Sequence, residues 1–374
     1  MTTGARCVHN PILSSIFLLL AASFASALLP VPSFAGDSTS TAPGITWNAF
    51  VDAYYTKNFN DPSTRTNSLR NFDINENQIA LSLADLTVQE QAQPVGFKIE
   101  LGFGPTNDIV QGGVTSTLSN VIQAYGTVVV PIGQGLTIDV GKFVTHMGYE
   151  VIPSQGNWNY SRSYLFAFAI PYYHTGVRLT YPVTSNFTAA LHILNGWNSV
   201  VDNNKFLTLG TTLNYALGAS TDIVFNGIWG HETPNAFESG ARDVYDFIVT
   251  QQINSALSLA ANADYGQAGT TFGLAMWKGV ALYGRYSLDS KSALAVRAEV
   301  YYDPSFGGYT TGVGFPKATL DEYTLTYEYH PVAPLLLRAE LRDDFANGPV
   351  YMSAEGLASK NSQPSLTIGM VTSF

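Results

Sequence analysis

Cysteine and charge are scarce in this sequence. Its 374 residues contain one cysteine, Cys7, so no intrachain disulfide can form. Charged residues make up 12%, where a soluble domain averages roughly 25%. Mean hydropathy is only +0.07, which excludes a bundle of apolar membrane-spanning helices. Basic runs are missing from an acidic chain of net charge −10, so there is no electrostatic footprint for nucleic acid. Also missing are G-x-S-x-G, H-E-x-x-H, a P-loop and G-x-G-x-x-G, so no motif announces an enzyme or a cofactor. What is present instead is aromatic: Tyr and Phe number 21 each, too much apolar surface for a disordered chain. Few charges, many aromatics and neutral hydropathy together suit a β-rich protein with one apolar and one polar face.

The N-terminus carries a targeting pattern. Arg6 and His9 precede an uncharged run from Asn10 to Gly36 that contains Ile16-Phe17-Leu18-Leu19-Leu20. Pro30, Pro32 and the small-x-small triplet Ser33-Phe34-Ala35 close it, as before a secretory signal-peptide cleavage site. Residues 1–35 are therefore expected to be removed, leaving one domain over 36–374. Cleavage takes Arg6 from the 18 basic residues and none of the 28 acids, for a net charge of −11. It also removes Cys7, so the mature chain must hold together in an oxidising compartment without disulfides.

The rest of the chain alternates with period two, the signature of strands with two unlike faces. Val95, Phe97, Ile99, Leu101 and Phe103 alternate with Gly96, Lys98, Glu100 and Gly102. Tyr323, Leu325, Tyr327 and Tyr329 alternate with Thr324, Thr326 and Glu328, and Leu335, Leu337, Ala339 and Leu341 with Arg338 and Glu340. These segments carry mid-strand charges on the polar face and run to about ten residues, the length a tilted strand needs to cross a bilayer. Tyr54, Tyr55, Tyr172, Trp229, Tyr265, Tyr286, Tyr302 and Tyr329 lie near segment ends, where aromatic girdles meet the membrane interfaces.

Seven tight turns rich in Gly, Pro, Asn and Ser punctuate the alternation, at 91–94, 131–135, 181–186, 217–220, 253–255, 288–291 and 330–334. Successive turns leave room for two strands and one longer polar loop. Short turns on one side and long loops on the other define a transmembrane antiparallel up-and-down β-barrel. Seven turns join eight hairpins. The sixteen expected strands are 44–56, 76–90, 94–103, 119–131, 135–144, 171–182, 185–195, 205–217, 219–231, 243–253, 255–266, 275–288, 291–303, 318–330, 334–344 and 363–374. The segments 119–131 and 275–288 alternate poorly. Eight strands fill their interior with side chains, whereas sixteen leave an aqueous channel. The long segment 145–170 is too apolar for a solvated loop, and is expected to fold inward and narrow the lumen.

At these residues the chain resembles the Gram-negative outer-membrane porins, and most closely the OmpL-like β-barrel porin family. The resemblance runs from Trp47-Asn48-Ala49-Phe50-Val51-Asp52-Ala53-Tyr54-Tyr55 to the terminal Phe374. It is most characteristic over Asn159-Tyr160-Ser161-Arg162-Ser163-Tyr164 and Ala169-Ile170-Pro171-Tyr172-Tyr173-His174-Thr175-Gly176-Val177-Arg178. It implies an outer-membrane channel for passive diffusion of small hydrophilic solutes, with no catalytic, cofactor or metal residues. It also implies contact with lipid and lipopolysaccharide, and a possible homotrimer by analogy.

Channel selectivity comes from charges at the constriction. Arg or Lys at the lipid midplane costs roughly 2–4 kcal/mol, so parity places Asp52, Lys98, Glu100, Arg178, His192, Arg285, Arg297, Glu299, Glu328, Arg338, Glu340 and Arg342 inside. The constriction candidates are Lys98, Glu100, Arg162, Arg178, Arg297, Glu299, Arg338 and Glu340, with Arg162 and Arg178 foremost. Their competing role is to pair across strands and stiffen the wall. The five histidines after residue 35 are too dispersed in sequence to suggest a metal cluster. Two other readings stay open: a surface adhesin or receptor using the outer loops, and a barrel hydrolase built on His231 with Glu232 or on Asp343 with Asp344.

Overall fold

A computed structural model describes residues 44–112, 118–232, 240–315 and 317–374; the expected signal peptide lies outside them. The dominant element is one closed antiparallel barrel of sixteen strands. Its first half comprises β1 (Thr46–Asn58), β2 (Ile79–Glu90), β3 (Val95–Phe103), β4 (Val121–Val130), β5 (Leu136–Val144), β6 (Tyr173–Thr184), β7 (Phe187–Leu194) and β8 (Thr208–Leu217). Its second half comprises β9 (Thr221–His231), β10 (Ala241–Gln252), β11 (Leu257–Thr270), β12 (Gly273–Ser287), β13 (Ser292–Asp303), β14 (Ala318–Val332), β15 (Leu335–Ala346) and β18 (Ser362–Ser373). A small hairpin of β16 (Tyr351–Met352) and β17 (Ala358–Lys360) sits in the last long loop. Every barrel strand pairs with its sequence neighbour in the barrel, and β18 closes the ring on β1 from Phe50↔Ser373 to Asn58↔Ser365. Closure leaves no unpaired sheet edge, which hydrocarbon would not tolerate.

All sixteen expected strands form. The outward face is apolar: Val95, Ile99, Val140, Leu191, Leu282, Val296, Leu325, Leu341, Ile368 and Met370 are exposed on the barrel's exterior. Both poorly alternating segments are strands for identifiable reasons. In β4 a bulge shifts the register between Glu100 and Leu101 of its partner, so parity flips partway along. In β12 the inward residues are themselves apolar or small, namely Ala275, Trp277, Gly279, Ala281 and Tyr283. They pack on material inside the barrel: a Cβ on Gly279 would collide with Leu165.

The expected aromatic belt needs correction at two positions. Tyr54 and Tyr172 face inward and are buried, with Tyr54 against Tyr160 at 5.8 Å and Tyr172 against Phe72 at 5.8 Å. Both sit beside long loops that enter the barrel, and proximity to a strand end does not fix which face a ring takes. Tyr265, Tyr286 and Tyr329 are exposed on the outer surface, as expected of a belt.

Candidate functional site: the bore and the segments folded into it

The segment after β5 does not rise over the rim. It enters the barrel, forms a short 3-10 turn at Ser154–Gly156 and a π-helical turn at Leu165–Ala169, and returns to β6. Its hydrogen bonds reach the facing wall, since β13 stands eight places round the ring from β5. Glu340 accepts the backbone N–H groups of Tyr160 at 2.6 Å and Ser161 at 3.0 Å. Glu299 does the same for Tyr164 at 2.6 Å and Leu165 at 2.7 Å. Arg338 donates to the carbonyls of Ser154 at 2.6 Å and Asn157 at 2.5 Å, and Arg342 to that of Arg162 at 2.6 Å. Asp52 on β1 accepts from Ser154 Oγ at 2.7 Å and from the Tyr160 hydroxyl at 2.9 Å. Burial and the Asp52 charge push the Tyr160 hydroxyl well above its usual range, which keeps it a neutral donor. Gly369 on β18 admits the Tyr160 ring; a Cβ there would overlap it.

The wall that receives this segment is charged in rows. Glu299 is paired in register with Glu322, and Glu322 with Asp344. Like charges directly opposite destabilise a sheet. Arg297 and Arg342 form the next row, two residues along each strand, and hold the acids: Arg297 meets Glu322 at 2.5 Å and Glu150 at 2.7 Å, and Arg342 meets Asp344 at 2.7 Å. The inserted backbone supplies the remaining donors. Charge-assisted hydrogen bonds of this kind contribute about 1.5–3 kcal/mol each, so the insertion and the wall stabilise one another.

A second inward segment had no signal in the sequence beyond its mixed polarity. The β1–β2 connection sends Arg70, Phe72 and Asp73 inside, all buried. Arg70 bridges Asp73 and Asp344, the latter at 2.7 Å. Phe72 packs on Phe166 at 5.7 Å, and Asn71 Nδ2 donates to the Ala167 carbonyl at 3.1 Å.

The expected constriction residues divide into two groups. Arg162 is buried, and its guanidinium donates to the carbonyls of Val151, Ile152 and Tyr160 within its own segment. Arg297, Glu299, Arg338 and Glu340 are buried against the insertion. Arg178 on β6 stands seven places round the ring from both β13 and β15, and Lys98 and Glu100 on β3 stand six places from β13 and four from β15. Lys98 pairs with Glu100 at 2.8 Å and Arg178 with Asp139 at 2.8 Å, and the two basic side chains are 25% and 26% exposed. The inner-face residues Thr127, Thr137, Thr180, Thr212 and Asn214 of β4–β8 are likewise only half-buried. On β12, Arg285 pairs with Glu328 at 2.7 Å, again with the cation 30% and the acid 7% exposed.

Three histidines that are dispersed in sequence meet inside the barrel. His146 stacks on His192 at 4.0 Å and lies 5.4 Å from His174. Among the described residues no group of histidine, cysteine and acidic side chains is arranged to hold a metal ion. Glu232, a residue of the hydrolase alternative, has its oxygens occupied by the Trp197 N–H and the Thr208 hydroxyl. Asp344, of the other pair, is buried under Arg70 and Arg342.

A closed sixteen-strand barrel with a lipid-facing apolar exterior, a charged bore and an inserted long loop is the architecture of an outer-membrane porin. The family model described as "Putative beta-barrel porin-2, OmpL-like" matches residues 44–374, and the chain belongs to that family. It is an outer-membrane channel for solutes, and its family and fold are those of a channel rather than an enzyme. Among solved structures, the outer-membrane channel DcaP of Acinetobacter baumannii matches with TM-score 0.61 at 11% identity, over 91% of this chain and 100% of that one. An anion-selective porin from Comamonas acidovorans matches with TM-score 0.59 at 12% identity, over 89% of this chain and 100% of that one. The trimer form of Vibrio cholerae OmpT matches with TM-score 0.59 at 12% identity, over 89% and 100% respectively. At such identities the likeness is one of fold. No curated protein sequence matches the chain.

Proposed function

We propose that the channel passes small hydrophilic solutes by passive diffusion through a lumen that segment 145–170 narrows from one side. The observation that carries this reading is the double row of hydrogen bonds from that segment to Glu299, Glu340, Arg338 and Arg342. The path then runs past Lys98 on β3 and Arg178 on β6 and out past Arg285 on β12. In each of these pairs the cation projects and its carboxylate is tucked behind, so a passing solute meets positive charge first. The lumen therefore favours anions. Arg162, Arg297, Glu299, Arg338 and Glu340 act indirectly, by holding the insertion in place. Residues 1–35 serve as the cleaved leader, lipid and lipopolysaccharide surround the exterior, and three copies associate through it. Deleting 154–166 and recording single channels in planar bilayers tests the central claim. Conductance should rise; an unchanged conductance would remove the insertion from the conduction path.

A further inference from the structure

The outer mouth holds a second cavity of about 360 Å³, apart from the charged rows of the bore. Its walls come from five places: the returning arm of the inserted segment, the β7–β8 and β13–β14 connections, and the outer ends of β10 and β12. Five of the ten lining residues are aromatic. Trp277 and Tyr309 stack at 5.6 Å, and Trp197 meets Trp277 edge-on at 6.5 Å. Trp277 is fixed by its Nε1–H bond to the Ala169 carbonyl at 3.0 Å. Asn198 pins the rim by accepting from the Tyr172 N–H at 2.6 Å.

One cation stands in this aromatic setting. The Arg242 guanidinium lies 4.6 Å over the Trp197 ring and 5.7 Å over the Tyr309 ring, and donates to the Tyr309 hydroxyl at 2.7 Å. Among the described residues no ion pair includes it. Its Nε is buried without a hydrogen-bond partner. Glu232, the neighbouring acid, already accepts from the Trp197 N–H at 2.7 Å and the Thr208 hydroxyl at 2.8 Å. A half-buried guanidinium with no ion-pair partner among the described residues leaves charge-assisted contacts unmade, and its planar fork matches a carboxylate with two parallel hydrogen bonds. Flat aromatic walls suit a flat apolar body. The volume sits at the small end of ligand clefts, which run from roughly 300 to 1,000 Å³, and excludes long chains.

We propose that this cavity is an outer-mouth binding site for a small organic carboxylate with a ring-shaped apolar body, of which benzoate is the simplest example. The proposal rests on the channel reading only for its biological use, as a capture site ahead of the lumen. Full-length mature protein in detergent is titrated with benzoate while tryptophan fluorescence is followed, with acetate and benzyl alcohol as controls lacking the ring or the charge. Saturable quenching by benzoate alone is expected, weakened at least about tenfold in Arg242→Gln, the loss of one charge-assisted contact. Trp197→Leu should weaken it as well, and serves if the first variant fails to assemble. Absence of saturable quenching, equal response to benzyl alcohol, or unchanged affinity in the assembled variants would overturn the proposal. Bilayer recordings of the same samples separate the two readings: ion current without benzoate binding defeats only the site, and benzoate binding without current defeats only the channel.

Discussion

Glu340→Gln isolates the latch that holds the inserted segment. The two side chains have nearly equal volume, so no cavity opens. The carboxylate accepts N–H bonds from Tyr160 at 2.6 Å and Ser161 at 3.0 Å, one on each oxygen, and a third from the Thr326 hydroxyl at 2.7 Å. An amide keeps one acceptor and turns an NH2 toward the other backbone N–H. That orphaned donor costs about 1–3 kcal/mol, and the surviving bond loses its charge assistance, worth about 1 kcal/mol more. The total, about 2–4 kcal/mol, shifts the ratio of released to seated segment by roughly 30- to 700-fold, at 1.4 kcal/mol per decade. Single-channel recording in planar bilayers should show frequent excursions to a larger conductance, absent from the parent. Traces from Glu340→Gln that match the parent in mean current and noise would refute the argument that these bonds hold the segment in the lumen.

Two further changes test other parts of the bore. Arg178→Gln removes a half-exposed cation and leaves Asp139 unpaired, so reversal potentials under a salt gradient should move toward cations; unaltered potentials would count against a path along that wall. Among the described residues, Arg70→Met strands Asp73 and leaves Asp344 with Arg342 as its one remaining ion-pair partner. Losing one partner from a buried ion network costs about 3–5 kcal/mol, so the urea midpoint of the folded barrel should fall measurably, and a midpoint equal to the parent's would deny the β1–β2 segment a role in stability.

The wall of this protein was legible in the sequence and its filling was not. Strands such as β3 and β14 must present opposite faces to lipid and to water, so every second residue is constrained and alternation survives in plain view. Tight turns need particular residues, so hairpins could be counted. Alternation faded in β12 because its inner face touches the apolar π-helical turn instead of water. The entry of 145–170 was readable from its apolar content, but the entry of Arg70 and Phe72 was not, because nothing local distinguishes an inward loop from an outward one. Arg162 shows the same limit. Its charge suggested a pore lining, yet its partners are three carbonyls of its own segment, a matter of tertiary placement. The histidine trio has no sequence signal at all, since the start of the inserted segment, β6 and β7 bring it together.

The acidic file Glu299–Glu322–Asp344 carries a lesson about assembly. An empty cylinder would set three negative charges side by side with half their donors missing. Such a cylinder is poorly stable until both long connections have dropped into it, so strand closure and occupancy of the interior belong to one cooperative event. A copy that zipped shut around a vacant core would leave Glu299 without its two backbone donors and Asp344 without Arg70.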